Sequence, residues 1–241
     1  DRIRKEKLKR PHVDKSKPTF PVVVNIHNNT VSVYLDTSGA PLSLRGYRGR
    51  VHRAAINPSL AAGLVYLSNW DGNSNFYDLM CGSGTIPIEA MCISKSIPPR
   101  LLRNDYTFKK WKDFDLTEYK SVSNENIAKI DGNKSVHIHA SDNTMPNIML
   151  LKKSLSCLKM SGSIDMAVSD ISDVKVKPEG GVLIMNPPHG HRMSQARSLE
   201  GLYRKMGDKL KSDFTGYDAF IFCMNNSLPK SIGLRSKRRY I

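Results

Sequence analysis

Cysteine is scarce in this chain, long apolar runs are missing, and the middle of the sequence carries almost no net charge. Cys81, Cys92, Cys157 and Cys223 are the only 4 cysteines in 241 residues. They form neither a close pair nor a ligand spacing, which argues against a disulfide scaffold and a zinc site. No metal is expected, and a reduced, cytoplasmic setting fits, with an organelle left open. No stretch approaches the roughly 18 apolar residues that cross a bilayer, and no secretory apolar segment follows the basic N-terminus, so no membrane partner is expected. The chain starts at Asp1 without a methionine, which leaves a removed leader or a missing domain open. Two nucleotide signatures are also incomplete. The pair Gly82 and Gly84 lacks the third glycine of the dinucleotide fingerprint, and no Gly-Lys-Ser/Thr follows it. A dehydrogenase and a Walker-type phosphate site are therefore disfavoured.

What is present begins with uneven charge. The formal net charge is +15, of which residues 1–53 contribute +8 (12 Lys+Arg against 4 Asp+Glu) and residues 230–241 contribute +5. Basic flanks on a near-neutral body suit a polyanion, because Lys and Arg displace counterions from phosphates; a solvated surface is the plainer reading. A hydrophobic fraction of 39% supports one substantial α/β domain with a smaller module, expected as a monomer.

Patterning then divides the chain. Residues 22–27 and 30–36 are β-branched runs around Asn28-Asn29, a hairpin signal. Asn57 followed by Pro58 starts a helix that Asn69-Trp70-Asp71-Gly72 ends. From there strand-like segments at 75–80, 136–141, 164–169, 181–186 and 218–224 alternate with helical ones at 85–96, 121–131, 144–160 and 195–211. Alternation of this kind predicts an α/β fold with a Rossmann-like, doubly wound parallel sheet. A long excursion, 97–134, interrupts it with Pro98-Pro99, Trp111 and the acidic group Asp113, Asp115 and Glu118. His137 and His139 share a strand face but have no third ligand.

Two segments carry chemistry. Asp78-Leu79-Met80-Cys81-Gly82-Ser83-Gly84-Thr85 lies where a strand turns into a helix, and glycines there let the backbone approach a ligand. Asp142 and Asp170 each end a later strand, where the first can receive ribose hydroxyls and the second an adenine amino group; capping a helix or turn is the plainer role of each. Asn186-Pro187-Pro188-His189 ends the apolar run 181–185. Its amide oxygen and proline carbonyl can accept the protons of an exocyclic base amine, localising a lone pair otherwise delocalised into the ring. The two prolines restrict local motion, and His189 can stack on the base. Together these residues point to methyl transfer onto a nucleic-acid amine.

With those strings in place, the chain resembles the THUMP-associated large-subunit ribosomal RNA guanine-N2-methyltransferases. The resemblance rests on Leu35-Asp36-Thr37-Ser38-Gly39, Leu44-Arg45-Gly46-Tyr47-Arg48, Asp78 to Thr85 with Ile88-Glu89-Ala90, Ser141-Asp142 and Asn186-Pro187-Pro188, in that order, together with Lys110-Trp111 and Phe114. It implies S-adenosylmethionine as donor, a guanine N2 of ribosomal RNA or a pre-ribosomal particle as acceptor, and a Rossmann-like domain at 49–241 lacking its last strand. Residues 1–48 would be the closing, β-rich part of a THUMP-containing RNA-binding region. Asp78, Cys81, Gly82, Ser83, Gly84 and Thr85 would line the methionine side, with Asp142 at the ribose and Asp170 at the adenine. Asn186, Pro187, Pro188 and His189 would hold the guanine, and Arg45, Arg48, Arg50, Arg53 and Arg192 would contact RNA. Leu79 stands where the family has proline, His189 where it has tyrosine or phenylalanine, and the chain stops at Ile241 before the family's final strand. Adenine-N6 methylation and a non-catalytic RNA-binding module are the competing readings.

Overall fold

The computed structural model describes residues 13–14, 16, 18–47, 55–99, 101, 103, 105–188, 196–224 and 227–240. Contacts divide the chain into two compact units, one made of 1–42 with 103–125 and the other of 43–102 with 126–241. The contact division falls at 42/43, and 103–125, part of the excursion, groups with the N-terminal segment.

The first unit holds a hairpin of β1 (Val22–His27) and β2 (Thr30–Leu35), antiparallel with Val22 opposite Leu35 and His27 opposite Thr30. Asn28 and Asn29 close it at φ 45° and 60°. Two consecutive left-handed residues give a turn whose twist matches the strands, and asparagine tolerates that geometry better than most side chains. Arg103 pins the turn after β2: its guanidinium donates to the carbonyls of Ser38 (2.9 Å), Ala40 and Pro41 (3.0 Å).

In the second unit, α1 (Pro58–Leu67) precedes β3 (Asn75–Asp78), and α2 (Thr85–Ser94) follows it. A helix α3 (Leu116–Ala128) crosses the division between the units. Beyond it come β4 (Ile138–Asp142), α4 (Met145–Cys157), β5 (Asp165–Val168), β6 (Gly181–Met185), α5 (Ala196–Asp213) and β7 (Tyr217–Ile221). All five strands β3 to β7 are parallel, in the order β5-β4-β3-β6-β7. The helix expected at 121–131 starts earlier because Asp115 accepts from the N–H groups of Thr117 (2.7 Å) and Glu118 (3.0 Å), an N-terminal cap hidden within the acidic group.

Side-chain alternation divides the core between the two faces of the sheet. Phe76, Ile138, Ala140, Val182 and Ile184 pack with Ala61 and Val65 of α1, Ile88 and Met91 of α2, and Leu151 and Leu155 of α4. Tyr77, Leu183 and Met185 face the other way, against Tyr203, Met206 and Leu210 of α5. A 3₁₀ turn at Leu228–Ile232 covers α5 closely. A Cβ built on Gly207 would lie 1.8 Å from the Ile232 carbonyl oxygen.

Helix propensity favours alanine over glycine by roughly 1 kcal/mol, whereas overpacking costs roughly 1–3 kcal/mol. With backbone rather than a flexible side chain in the way, the clash prevails. Gly207→Ala is expected to lower the urea midpoint; a raised midpoint would show that the 3₁₀ turn does not hold its position on α5.

Candidate functional site

The strand order brings the predicted residues to one edge. Asp170 follows β5, Asp142 ends β4, the loop 78–84 starts on the last residue of β3 and Asn186 follows β6, four neighbours in the sheet. β3 and β6 pair directly, with Phe76 opposite Val182 and Tyr77 opposite Leu183. Their outgoing connections therefore leave the sheet side by side, at the point where the strand order reverses. Ligands of doubly wound sheets bind at that crevice.

The loop after β3 is fastened by backbone and carboxylate. The Cys81 N–H donates to Ser141 O (3.0 Å), Gly84 N–H to Cys81 O (2.8 Å) and Gly82 N–H to Asp142 Oδ2 (3.0 Å). Gly82 and Gly84 have φ of 54° and 81°, a region that disfavours side chains. Their environments differ in an informative way. A Cβ on Gly84 would sit 2.2 Å from Leu151 Cδ1, so that glycine serves packing, whereas nothing lies within 4 Å of a Cβ on Gly82. Open space thus adjoins Gly82, while α2 begins at Thr85 with Gly84 as its N-cap. N–H groups of a helix's first turn lack partners within the helix and suit a polar ligand.

Asp142 does more than end a strand. Besides Gly82, it accepts from Thr144 N–H (3.0 Å), Thr144 Oγ1 (2.8 Å) and Asn147 Nδ2 (3.0 Å), all on Oδ1. It ties the glycine loop to the start of α4, and Oδ2, with one of these donors, retains acceptor capacity. Asp170 accepts from Ser172 N–H (3.0 Å), Ser172 Oγ (2.7 Å) and Lys205 Nζ (2.9 Å), again on Oδ1. The Lys205 bond and those of Ser172 hold its carboxyl down at about 2. Asp78, 1% exposed, behaves oppositely: burial pushes its carboxyl up to about 8 despite the Met80 N–H bond (3.2 Å), and the negative charge of Asp142 adds to the rise. Burial also raises the Cys81 thiol well above its ordinary range, so it is no nucleophile at neutral pH. Two hydroxyl oxygens in this region, Ser83 Oγ and Ser141 Oγ, are enclosed with no hydrogen-bond partner among the described residues. Sequence reasoning passed over the Ser141 side chain, because a serine at a strand end is too common to mark a site.

Pro187 is buried, Asn186 half-buried and Pro188 exposed. His189 lies outside the described residues, as do Arg48, Arg50, Arg53 and Arg192. Arg45, expected at RNA, turns inward to a carboxylate. Only 7% exposed, its guanidinium donates from Nε to Glu89 Oε1 (3.1 Å) and from Nη2 to Oε2 (3.0 Å), and Tyr47 Oη also donates to Oε1 (2.7 Å). The basic linker string hid this because a buried partner sits 44 residues downstream. A cavity of about 730 Å³ is lined by Arg45, Glu89, Tyr66, Cys92, Pro98 and Lys129, away from the strand ends where the chemistry gathers. Among the described residues no group of His, Cys, Asp and Glu could hold a metal, and no helix is long and apolar enough to cross a membrane.

Strand order, glycine turn and the Asn-Pro-Pro segment together define a Rossmann-like methyltransferase domain. Residues 45–241 match the family described as UPF0020, the RMKL-like methyltransferase domain, and the chain belongs to that family. Its curated relatives include the ribosomal RNA large subunit methyltransferase K/L of Psychromonas ingrahamii, 32% identical over 249 residues that cover 100% of this chain and 33% of that protein. Another is slr0064 of Synechocystis sp., 32% identical over 240 residues covering 100% of this chain and 62% of its own length. Among solved structures, SMU.472 complexed with SAH superposes with a TM-score of 0.87 at 26% identity, covering 98% of this chain and 62% of the other. A Listeria monocytogenes protein described as a predicted N6-adenine-specific DNA methylase gives 0.88 at 26% identity, with the same coverage. The chain thus spans from a third to about three fifths of the length of these proteins.

Two stability measurements follow. Between the ordinary carboxylate pKa and about 8, the unfolded chain ionises Asp78 while the folded chain keeps its proton. Stability contributed by the neutral form is therefore lost as pH rises through that window. Asp78→Asn is expected to unfold later than the parent at pH 8, by on the order of 1–3 kcal/mol, with the difference vanishing near pH 4; a parent equally or more stable at pH 8 would mean the carboxylate is satisfied. Arg45→Met strands the Glu89 charge and is expected to cost about 3–5 kcal/mol in urea unfolding, partly restored by adding Glu89→Gln. A neutral outcome for Arg45→Met would return that arginine to the surface.

Proposed function

We propose that this chain transfers a methyl group from S-adenosylmethionine to the exocyclic N2 amine of a guanine in ribosomal RNA. The reading is carried by the direct parallel pairing of β3 with β6, which sets the glycine turn and the Asn186 segment side by side. The residues present suit the donor. Gly82 leaves room for close approach to its backbone, and Ser83 Oγ and Ser141 Oγ await partners. Asp78 offers a buried carboxyl to the donor's ammonium, whose charge would draw that carboxyl back to its ionised form. Asp142 Oδ2 suits a ribose hydroxyl and Asp170 the adenine amine. The neighbour bound to SAH, the demethylated donor, supports this class of donor.

S-adenosylmethionine supplies an electrophilic methyl on a sulfonium. The amine nitrogen would take that methyl, the electrons of the methyl–sulfur bond staying with sulfur, and the proton the methylated nitrogen sheds would pass to solvent beside Asn186 and Pro187. Asn186 Oδ1 and Pro187 O, acting as acceptors of the amine's N–H groups, would align its lone pair, and the His189 ring would stack on the base. Ribosomal RNA as substrate is supported by the large-subunit methyltransferase relatives and by the basic charge of the flanks. Adenine N6 presents the same donor pattern to an Asn-Pro-Pro segment, and the Listeria protein's description makes it the second reading.

Incubation of unmodified ribosomal RNA with labelled donor, followed by nucleoside mass spectrometry, is expected to yield N2-methylguanosine. N6-methyladenosine as the product would replace this reading by the second. Asn186→Ala should bind donor within about twofold of the parent yet methylate on the order of 10²-fold more slowly, because alignment is lost and donor contacts are not. A parental rate would remove Asn186 from the chemistry.

A further inference from the structure

α5 reaches across one face of the sheet and takes hold of the segment after β5 at two points one helical turn apart. Lys205 Nζ donates to Asp170 Oδ1 at 2.9 Å. Lys209 Nζ, on a residue only 7% exposed, donates to Ser172 O (3.1 Å), Val174 O (2.6 Å) and the Asp213 carboxylate. Spacing of four residues puts both lysines on one side of the helix. Their tasks differ. Lys209 satisfies two carbonyls and holds the backbone of residues 172–174, whereas Lys205 touches the one carboxylate assigned to the adenine.

The Asp170 bonds all fall on one oxygen. Ser172 N–H, Ser172 Oγ and Lys205 Nζ meet at Oδ1, so the carboxylate cannot rotate about its χ angles without giving up three donors. An adenine amino group is a donor, and the carboxylate's remaining acceptor capacity lies mainly on Oδ2. Ser172 alone would fix a turn, as aspartate does in many loops. A cation on the same oxygen is not required for that turn. It adds a charge-assisted bond that fixes Oδ1, and so the direction in which Oδ2 is offered to an amine. As an isolated surface pair, about half exposed on each side, it would contribute only about 0–1 kcal/mol to stability. Stability is therefore a weak reason for its placement, and orientation of Asp170 is a stronger one.

We infer that Lys205 is a positioning residue for the donor: from α5 it orients the Asp170 carboxylate so that the site recognises the 6-amino group of adenine. The inference rests on the reading of Asp170 as the adenine acceptor. It also means that α5, the helix that follows the Asn186 segment in sequence, takes part in donor selection as well as in covering the sheet.

The test compares S-adenosylhomocysteine with S-inosylhomocysteine, in which a carbonyl replaces the 6-amino group, by isothermal titration against the full chain. The parent should prefer the adenine compound by about tenfold or more, since the inosine oxygen faces a carboxylate and the amine's bond is lost. Lys205→Met should weaken the adenine compound about three- to tenfold and leave the inosine compound within about twofold, with Lys205→Arg restoring most of the preference. Asp170→Asn should abolish the preference. If Asp170→Asn keeps the parental preference, the reading of Asp170 fails. If Asp170→Asn abolishes it but Lys205→Met leaves it intact, or weakens both compounds equally, the positioning role of Lys205 is overturned while Asp170 stands. An unchanged thermal midpoint for Lys205→Met separates either result from loss of fold.

Discussion

The parallel pairing of β3 with β6 is the constraint on which the rest depends. Each strand alternates its side chains between the two cores, so the register that sets Tyr77 opposite Leu183 also sends Phe76 and Val182 to the opposite face together. A slip by one residue would expose both sets at once. The same register fixes where the two strands end, and so where the glycine turn and the Asn186 segment start. Gly181 belongs to this constraint: a Cβ there would lie 2.0 Å from the Asn75 carbonyl oxygen, which only a glycine accommodates. Core packing and the meeting of the glycine turn with the Asn186 segment are two results of one strand pairing.

Around that pairing, carboxylates are placed where their surroundings give each a different state. Glu89 is buried but balanced by Arg45 and Tyr47. Asp142 is nearly buried and receives four protein donors. Asp170 lies near the surface, with its charge held by Lys205 and Ser172. Asp78 alone is both fully enclosed and pushed toward its neutral form. A protein selected only for stability would place an amide or an apolar group there. The retained acid is what a cationic ligand group at that position would require, and binding such a group would release the proton that burial holds.

Much of this was legible because strand and helix signals are local. The apolar run 181–185 ended by Asn-Pro-Pro, the glycines at 82 and 84, and the Asn28-Asn29 turn each state their geometry within a few residues. The start of α3 was misread because Asp115 and Glu118 look like surface charge until their backbone bonds are seen. The inward turn of Arg45 is hidden for the opposite reason. Its partner Glu89 is distant in sequence, and a basic string gives no sign that one member turns inward. Lys205 carried no signal either, since a lysine on an amphipathic helix looks the same whether it meets solvent or an aspartate 35 residues away.

Proximity to the strand ends does not rank the carboxylates as donor ligands; the number of acceptor positions left to each does. Asp142 commits Oδ1 to three protein donors and Oδ2 to one, so its first duty is to bind the glycine loop to α4, and a ribose hydroxyl would join an oxygen already in use. That arrangement couples loop shape to ligand: a hydroxyl arriving at Oδ2 meets an acceptor whose direction is set by the Gly82 N–H. Asp78 commits one bond, to Met80, and is the least satisfied of the three. On the proposed assignment, the donor's ammonium would therefore have most to gain at Asp78 and its ribose least at Asp142. Under that assignment affinity would depend more on the methionine end than on the sugar, and adenine recognition on how firmly α5 holds Asp170.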